Sequence, residues 1–513
     1  LPIGVEEEVD HSGEIPSLSP PPKSTSEFTR LFDTLSLLVQ DEYKTRIIAH
    51  SDEESRLDEE IKMKNQSVTI AHFNANKSMS GQLFQGDIRI SVNQLEKIID
   101  GLMNEEDEEE GSGEYEEENE NEEENENDHS RMRRETIKGF DVKWTDGVPY
   151  SFHPFLSLTA RQLIEEAIDF WQRETCIQFR PRLFESQYLF FVAADGCWST
   201  VGKDSLQGQQ WISIDKGCEE YGVISHEIGH ALGLFHEQSR FDRDKYVSLD
   251  PSRVQMGYIF QFSKIPPSQL STHGFPYDVG SIMHYAPNEF SSVSFLPALS
   301  SVDPFLQQSM GQLGGPSFLD IAILNVDYEC KMRCPVKIHC SNRGYQDARD
   351  CTKCKCPSGF GGVDCREMET PSILKCGGRL NATLSLRQLT VNIKPNMARK
   401  KERKCIYHII APPDSEKIEV TLIEMDTTCQ YGCWREGIEI KTQLDPRPTG
   451  YRFCCLRQRK SRVSSSRRLL PLMIYSRGRN SRVVLHYRYW RNGESEQNWS
   501  GERGNGTARE LDG

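Results

Sequence analysis

The run HEIGHALGLFHE, residues 226–237, dictates both a local shape and a chemistry. Residues four apart share one face of a helix, so a helix here aims His226 and His230 at one point. Gly233 can break that helix, and the turn that follows delivers a third imidazole from His236. Three neutral imidazoles at this spacing hold Zn²⁺ with one position open, the arrangement of a catalytic rather than a structural zinc site. Glu227 lies beside them, where a carboxylate can take a proton from water. The extended pattern, with its Gly and third His, is far more specific than a bare HExxH.

At 513 residues the chain is too long for one core, and length alone suggests about three or four domains. Its 16 cysteines concentrate after Cys330, a density that suits disulfide-stapled modules in an oxidising compartment. Asn65, Asn76, Asn381, Asn498 and Asn505 each open an Asn-x-Ser/Thr acceptor for glycosylation, in keeping with secretion. We expect a signal peptide to have preceded Leu1. No apolar run of about 18 residues exists, so no membrane span is expected, and nothing points to a nucleic-acid partner.

The net charge of −16 is unevenly spread: residues 1–134 hold 34 acidic against 13 basic side chains. Residues 105–128 carry 16 Asp/Glu and no Lys/Arg. The stretch 104–128 therefore reads as a self-repelling, disordered linker within an N-terminal segment that is otherwise largely irregular. Arg131, Arg133 and Arg134 follow it directly. A basic cluster between a disordered run and a new domain suits a furin-like processing protease, with cleavage between Arg134 and Glu135.

Apolar Leu163, Ile164, Ala167, Ile168 and Trp171 predict an amphipathic helix from Leu158. Tyr188–Ala193 and Trp211–Ile214 read as short strands, and the metal helix begins near Glu219. This order predicts an α+β domain with zinc in a cleft between two lobes. The strand at Trp211–Ile214, just before the metal helix, is the candidate edge for pairing with extended substrate.

These residues resemble the signature of the astacin metalloendopeptidases, in the metzincin clan. The companion motif SIMHY begins at Ser281, with Met283 47 residues after His236. The resemblance covers about residues 135–333. It implies that Met283 lies in a tight turn beneath the zinc. Tyr285 would be a movable fifth ligand that stabilises the transition state. Cys176 would pair with Cys330 and Cys197 with Cys218. It also implies that a new N-terminus at Glu135 pairs with Glu237; ten residues run from Glu135 to Trp144 of KWTDGVPY, which agrees with the family's spacing. Phe84-Gln85-Gly86-Asp87 is similar to the propeptide motif FxGD, making Asp87 a zinc ligand of the latent form only. Many astacins prefer an acidic residue just after the scissile bond through an Arg following a Gly-Gln pair. Here Leu313 follows Gly311-Gln312, so a weak or absent acidic preference is expected. An adamalysin-type metzincin is disfavoured by Glu237, Tyr285 and the four cysteines.

Six cysteines at residues 334–366 look like an EGF-like module, rather than a zinc knuckle. The resemblance implies Cys334–Cys351, Cys340–Cys354 and Cys356–Cys365. Residues 376–488 resemble a CUB sandwich with Cys376–Cys405 as its first bridge; the order among Cys429, Cys433, Cys454 and Cys455 stays open. Glu436-Gly437 replace the Asp-Tyr of calcium-binding CUB domains, so no calcium is expected. Residues 489–513 read as a tail. The protease, EGF-like, CUB order is similar to nematode astacins, several of which act on cuticle or eggshell. The basic stretch Arg457 to Arg482 suits either an acidic matrix or a solvated sheet face. The expected function is a secreted, zymogenic zinc endopeptidase acting on extracellular matrix proteins. The alternative is a matrix-binding protein on an inactive scaffold, against which Glu227, the three His and Tyr285 all stand intact.

Overall fold

The computed structural model describes residues 26–44, 69–77, 79, 82–109, 143–204, 208–293, 296–373, 375–394 and 402–491. The N-terminal segment forms three helices, α1 (Ser26–Lys44), α2 (Ile70–Asn76) and α3 (Val92–Glu109). Leu31, Phe32 and Leu35 of α1 share a core with Leu95, Ile98 and Ile99 of α3, and with Phe260 and Ile265 from much later in the chain. The described part of the segment is therefore helical, and its apolar residues at helical spacing bury against the following domain. Residues 104–109, expected to open a disordered linker, are the last turns of α3. Residues 110–142, with Arg134 and Glu135, lie outside the described residues.

The first lobe is a five-stranded sheet ordered β2-β1-β3-β5-β4. Its strands are β1 (Val148–Phe152), β2 (Phe179–Pro181), β3 (Tyr188–Val192), β4 (Cys197–Trp198) and β5 (Gln209–Ile214). β1 and β2 are joined through α4 (Leu158–Glu174), and this crossover lets them pair in parallel. β1–β3 and β3–β5 are parallel too, so the lobe is α/β rather than the expected α+β. Ser157 caps α4 by accepting from the Ala160 amide, and the fully buried Trp171 donates its indole N–H to Ser225 of the next helix at 3.2 Å.

That next helix, α5 (Tyr221–Ala231), is buried from Gly222 to Ala231. It passes so close to the second lobe that a Cβ on Gly222 would lie 2.0 Å from the Leu313 carbonyl oxygen. Gly233 then takes φ 114° and ends the helix, leaving the chain free to return His236 toward it. The second lobe is mostly irregular chain around the pair β6 (Val247–Leu249) and β7 (Leu299–Ser301), closed by α6 (Phe318–Asp327).

The edge of the first-lobe sheet is not where the sequence suggested. β5 is covered on one side by β3 along its length and on the other by β4 at Ser213 and Ile214. The edge belongs to β4 and the residue after it, and the N-terminal segment covers it. Cys197–Cys218 fastens this edge strand to the turn before α5, and Cys176–Cys330 ties the end of the second lobe back to α4.

The six-cysteine stretch forms two hairpins, β8 (Tyr345–Gln346) with β9 (Cys354–Lys355) and β10 (Phe360–Gly361) with β11 (Glu367–Met368). Its bridges are Cys334–Cys351, Cys340–Cys354 and Cys356–Cys365. The remaining strands build a sandwich. One sheet is ordered β12-β14-β19-β16-β17, from Gly377–Asn381, Arg403–Ile410, Leu469–Ser476, Glu436–Ile440 and Tyr451–Phe453. The other is ordered β13-β20-β15-β18, from Arg387–Ile393, Ser481–Arg491, Ser415–Asp426 and Arg462–Ser465. Cys376–Cys405 bridges two neighbouring segments, and the open order resolves as Cys429–Cys455 and Cys433–Cys454.

The sandwich packs against the second lobe. Arg477 donates to the Gly314 carbonyl at 2.8 Å, the Thr449 amide donates to Asp278 at 2.9 Å, and Phe305 meets Tyr451 and Phe453. It therefore braces the loop that carries Leu313. Among the described residues no helix is long and apolar enough to cross a membrane.

Candidate metal centre and active site

α5 places His226 and His230 on one face, and the turn after Gly233 brings His236 to meet them. Ligand atoms of these three residues and of Asp87 all lie within 4.8 Å of one another, and all four residues are buried. Each imidazole is oriented from behind. Nδ1 of His226 donates to the Ile282 carbonyl at 2.8 Å, and Nδ1 of His230 donates to Leu234 at 2.7 Å. Nδ1 of His236 donates to Oε1 of Gln85 at 3.2 Å. With Nδ1 holding the proton, every Nε2 presents a lone pair to the same point.

The fourth group there is also an acceptor. Asp87 stands 3.2 Å from His226 Nε2, 3.4 Å from His230 Nε2 and 3.3 Å from His236 Nε2. Burial opposes its charge, but without a metal any proton on these imidazoles holds its carboxyl well below the usual range. Burial also pushes the other side down: His230 is lowered and His236 falls to about 4. Neutral imidazoles and an ionised carboxylate converging on one point are the donor set of a zinc ion. Nε2 of His230 and of His236 and Oδ1 of Asp87 are buried without a hydrogen-bond partner, so the residues fit the metal.

Both carboxylate oxygens of Glu227 are likewise buried with no hydrogen-bond partner. Burial first, and the nearby Asp87 charge second, push its proton affinity well above that of an ordinary Glu. That is the direction required of a residue that takes a proton near neutral pH and later gives it back.

Met283 is buried in a turn that Asp320 pins, accepting from Ser281 Oγ at 2.5 Å and from the Ile282 amide at 3.0 Å. The same Asp320 forms a capping box with Ser317 at the start of α6. The Met283 carbonyl accepts from the Glu237 amide at 2.9 Å. The Glu237 side chain accepts from Arg240 at 3.1 Å and the Asp278 amide at 2.8 Å. Burial raises its carboxyl to about 7 against the pull of Arg240. The hydroxyl of Tyr285 donates to the Gln85 carbonyl, and its ring lies 4.9 Å from that of His236.

The segment carrying Asp87 is held as tightly as the histidines. Phe84 and Ile88 exchange backbone hydrogen bonds of 2.9 Å, so Asp87 stands in the turn between them. Gln85 donates to Ser263, and Gln261 bridges the Gly86 amide and the Leu83 carbonyl. Asn74 of α2 spans Gly86 and both backbone groups of Cys197. Around Asp87 the chain then runs parallel to the edge: Ser199 N–H donates to Asp87 at 3.0 Å and Arg89 N–H to Ser199 at 2.8 Å. Sequence reading did not single out Asn74, Gln85 as an imidazole partner, Gln261 or Asp320. Only Asp320 had a local signal, the Ser317-x-x-Asp pattern of a capped helix.

Residues 136–329 match the family model described as Astacin, a family of peptidases. The zinc metalloproteinase nas-29 of Caenorhabditis elegans is 40% identical over 464 residues, covering 90% of this chain and 84% of that protein. The chain belongs to the astacin family. A second relative, zinc metalloproteinase nas-23 of the same nematode, is 38% identical over 84% of this chain and 76% of its own length. Among solved structures, high choriolytic enzyme 1 of the medaka Oryzias latipes, a hatching enzyme zinc-protease, is 32% identical. That match covers 38% of this chain and 99% of that one, with a TM-score of 0.35. As an astacin, the chain is a zinc metalloendopeptidase, and His226, His230 and His236 are the side chains suited to its metal.

Proposed function

We propose that this astacin is a secreted, latent endopeptidase that hydrolyses extracellular matrix proteins, and that cleavage after Arg134 activates it. The observation that carries the latency is Asp87, buried at 2% exposure among the three imidazoles. The sixteen cysteines, paired without exception among the described residues, support an extracellular setting. So does Asn381, which is exposed on the sandwich. The side chains of Asn65, Asn76, Asn498 and Asn505 lie outside the described residues. Matrix proteins suit an enzyme that carries EGF-like and CUB-type modules beside its cleft.

His226, His230 and His236 would hold zinc, which when bound would supply the Lewis acidity that activates a peptide carbonyl and lowers the pKa of water from 15.7 to about 7. Glu227 takes the proton of the attacking water and passes it to the leaving amine. Tyr285, once its hydroxyl is released from Gln85, donates to the developing oxyanion, a contact made only in the transition state. Substrate pairs with the edge beyond Trp198. The N-terminal segment lies there in parallel, so a productive antiparallel substrate runs the other way and the segment is not itself cut. Glu237 accepts the new amino group at Glu135 in place of its contact with Arg240.

The test is N-terminal sequencing of the chain after activation by a furin-like protease. A start at Glu135, with activation lost in Arg134→Ala, is expected. Full activity from a chain that begins elsewhere contradicts the Glu237 anchor.

A further inference from the structure

We propose that Glu289 makes the cavity beside the metal centre a cation-selecting subsite, which takes a Lys or Arg side chain flanking the scissile bond. This rests on the peptidase reading above and extends it to substrate class. The cavity shares His226 and Tyr285 with the metal site, so its occupant adjoins the reacting carbonyl. Leu313, Ala286 and Gly311 give it apolar walls, and Glu289 contributes its carboxylate. Among the described residues lining it, none is Lys or Arg.

Glu289 is only 4% exposed, and the N-terminal segment covers it. Thr69, at the start of α2, donates its hydroxyl hydrogen bond to Glu289, and Ile70 and Ala71 line the same space. This hydrogen bond, one of the contacts Glu289 makes, leaves with the segment on activation. A Lys or Arg side chain then offers the better replacement. Its methylene stem lies along Leu313 and Ala286 while its head brings charge as well as hydrogen bonds to the carboxylate. A substrate Asp or Glu would instead press a second carboxylate against Glu289 in a poorly solvated site, which disfavours its charged form. Leu313 offers no charge to relieve it.

The test uses activated enzyme and peptides in which Lys, Arg, Gln, Leu or Asp is placed in turn on each side of the scissile bond. At one flanking position kcat/KM for Lys or Arg is expected to exceed that for Leu by about tenfold, with Asp below Leu. Glu289→Gln should bring the Lys-to-Leu ratio near one. Leu313→Arg should do the same while leaving Glu289 in place, because its guanidinium pairs the carboxylate from within. An active wild-type enzyme with no cation preference at either position overturns the proposal, as does a preference that survives both substitutions. Failure to cut any peptide overturns the peptidase reading, and this proposal with it.

Discussion

Glu227→Gln in the activated enzyme is expected to lower kcat/KM by about 10²–10⁴-fold while the bound zinc stays at one per chain. The amide keeps the size and shape of the carboxyl but cannot take a proton from water. Glu227 reaches α5 beside His226 with both oxygens buried and without a hydrogen-bond partner, so the substitution removes no internal hydrogen bond and should leave the fold intact. Peptide hydrolysis measured with metal analysis on the same sample separates the two effects. Activity that survives with zinc still bound would mean that another group accepts the proton.

The second large effect concerns latency. In a chain kept whole by Arg134→Ala, the further change Asp87→Ala is expected to raise peptide hydrolysis by about 10- to 100-fold. In the proposed latent form Asp87 is the charged member of the blocking turn, and charge-assisted contacts are the strong ones. The rise should stop short of full activity. Gln85 still holds Ser263, Asn74 still bridges Gly86 to Cys197, and the helices remain buried on Phe260 and Ile265. Rates of the intact double variant against the Arg134→Ala parent, with a gel showing no cleavage, give the answer. An unchanged rate would place the block in those contacts rather than in the carboxylate.

The metal site was legible because its information is local. Helix period sets His226 and His230, one glycine sets the turn, and His236 follows three residues later. The four-residue turn at Asp87 was readable only beside that motif, and its partner Gln85 gave no separate signal. The N-terminal helices were missed for a physical reason: acidic composition dominates residues 1–134, while the apolar positions of α1 and α3 find their partners in each other and in Phe260 and Ile265, far along the chain. Trp211–Ile214 was misread as an edge because alternation along a strand does not say which neighbours flank it. β4, with only two residues, supplied the true edge and left almost no pattern. The order of the last two disulfides needed the fold as well. Cys454 and Cys455 are adjacent, and only the sandwich fixes which partner each one faces. Glu289 carried no motif at all and emerges from the shape of the cavity.

In the proposed zymogen, three buried imidazoles form a zinc peptidase site that Asp87 shuts until the N-terminal segment leaves. The most direct measurement is continuous peptide hydrolysis by the zinc-loaded chain as a processing protease cuts after Arg134, with a zinc chelator added at the plateau. Hydrolysis is expected to be negligible before the cut, to rise in step with it, to stop with chelator and to return with added zinc. Hydrolysis at full rate before the cut, or continuing after the zinc has been removed, would contradict the account.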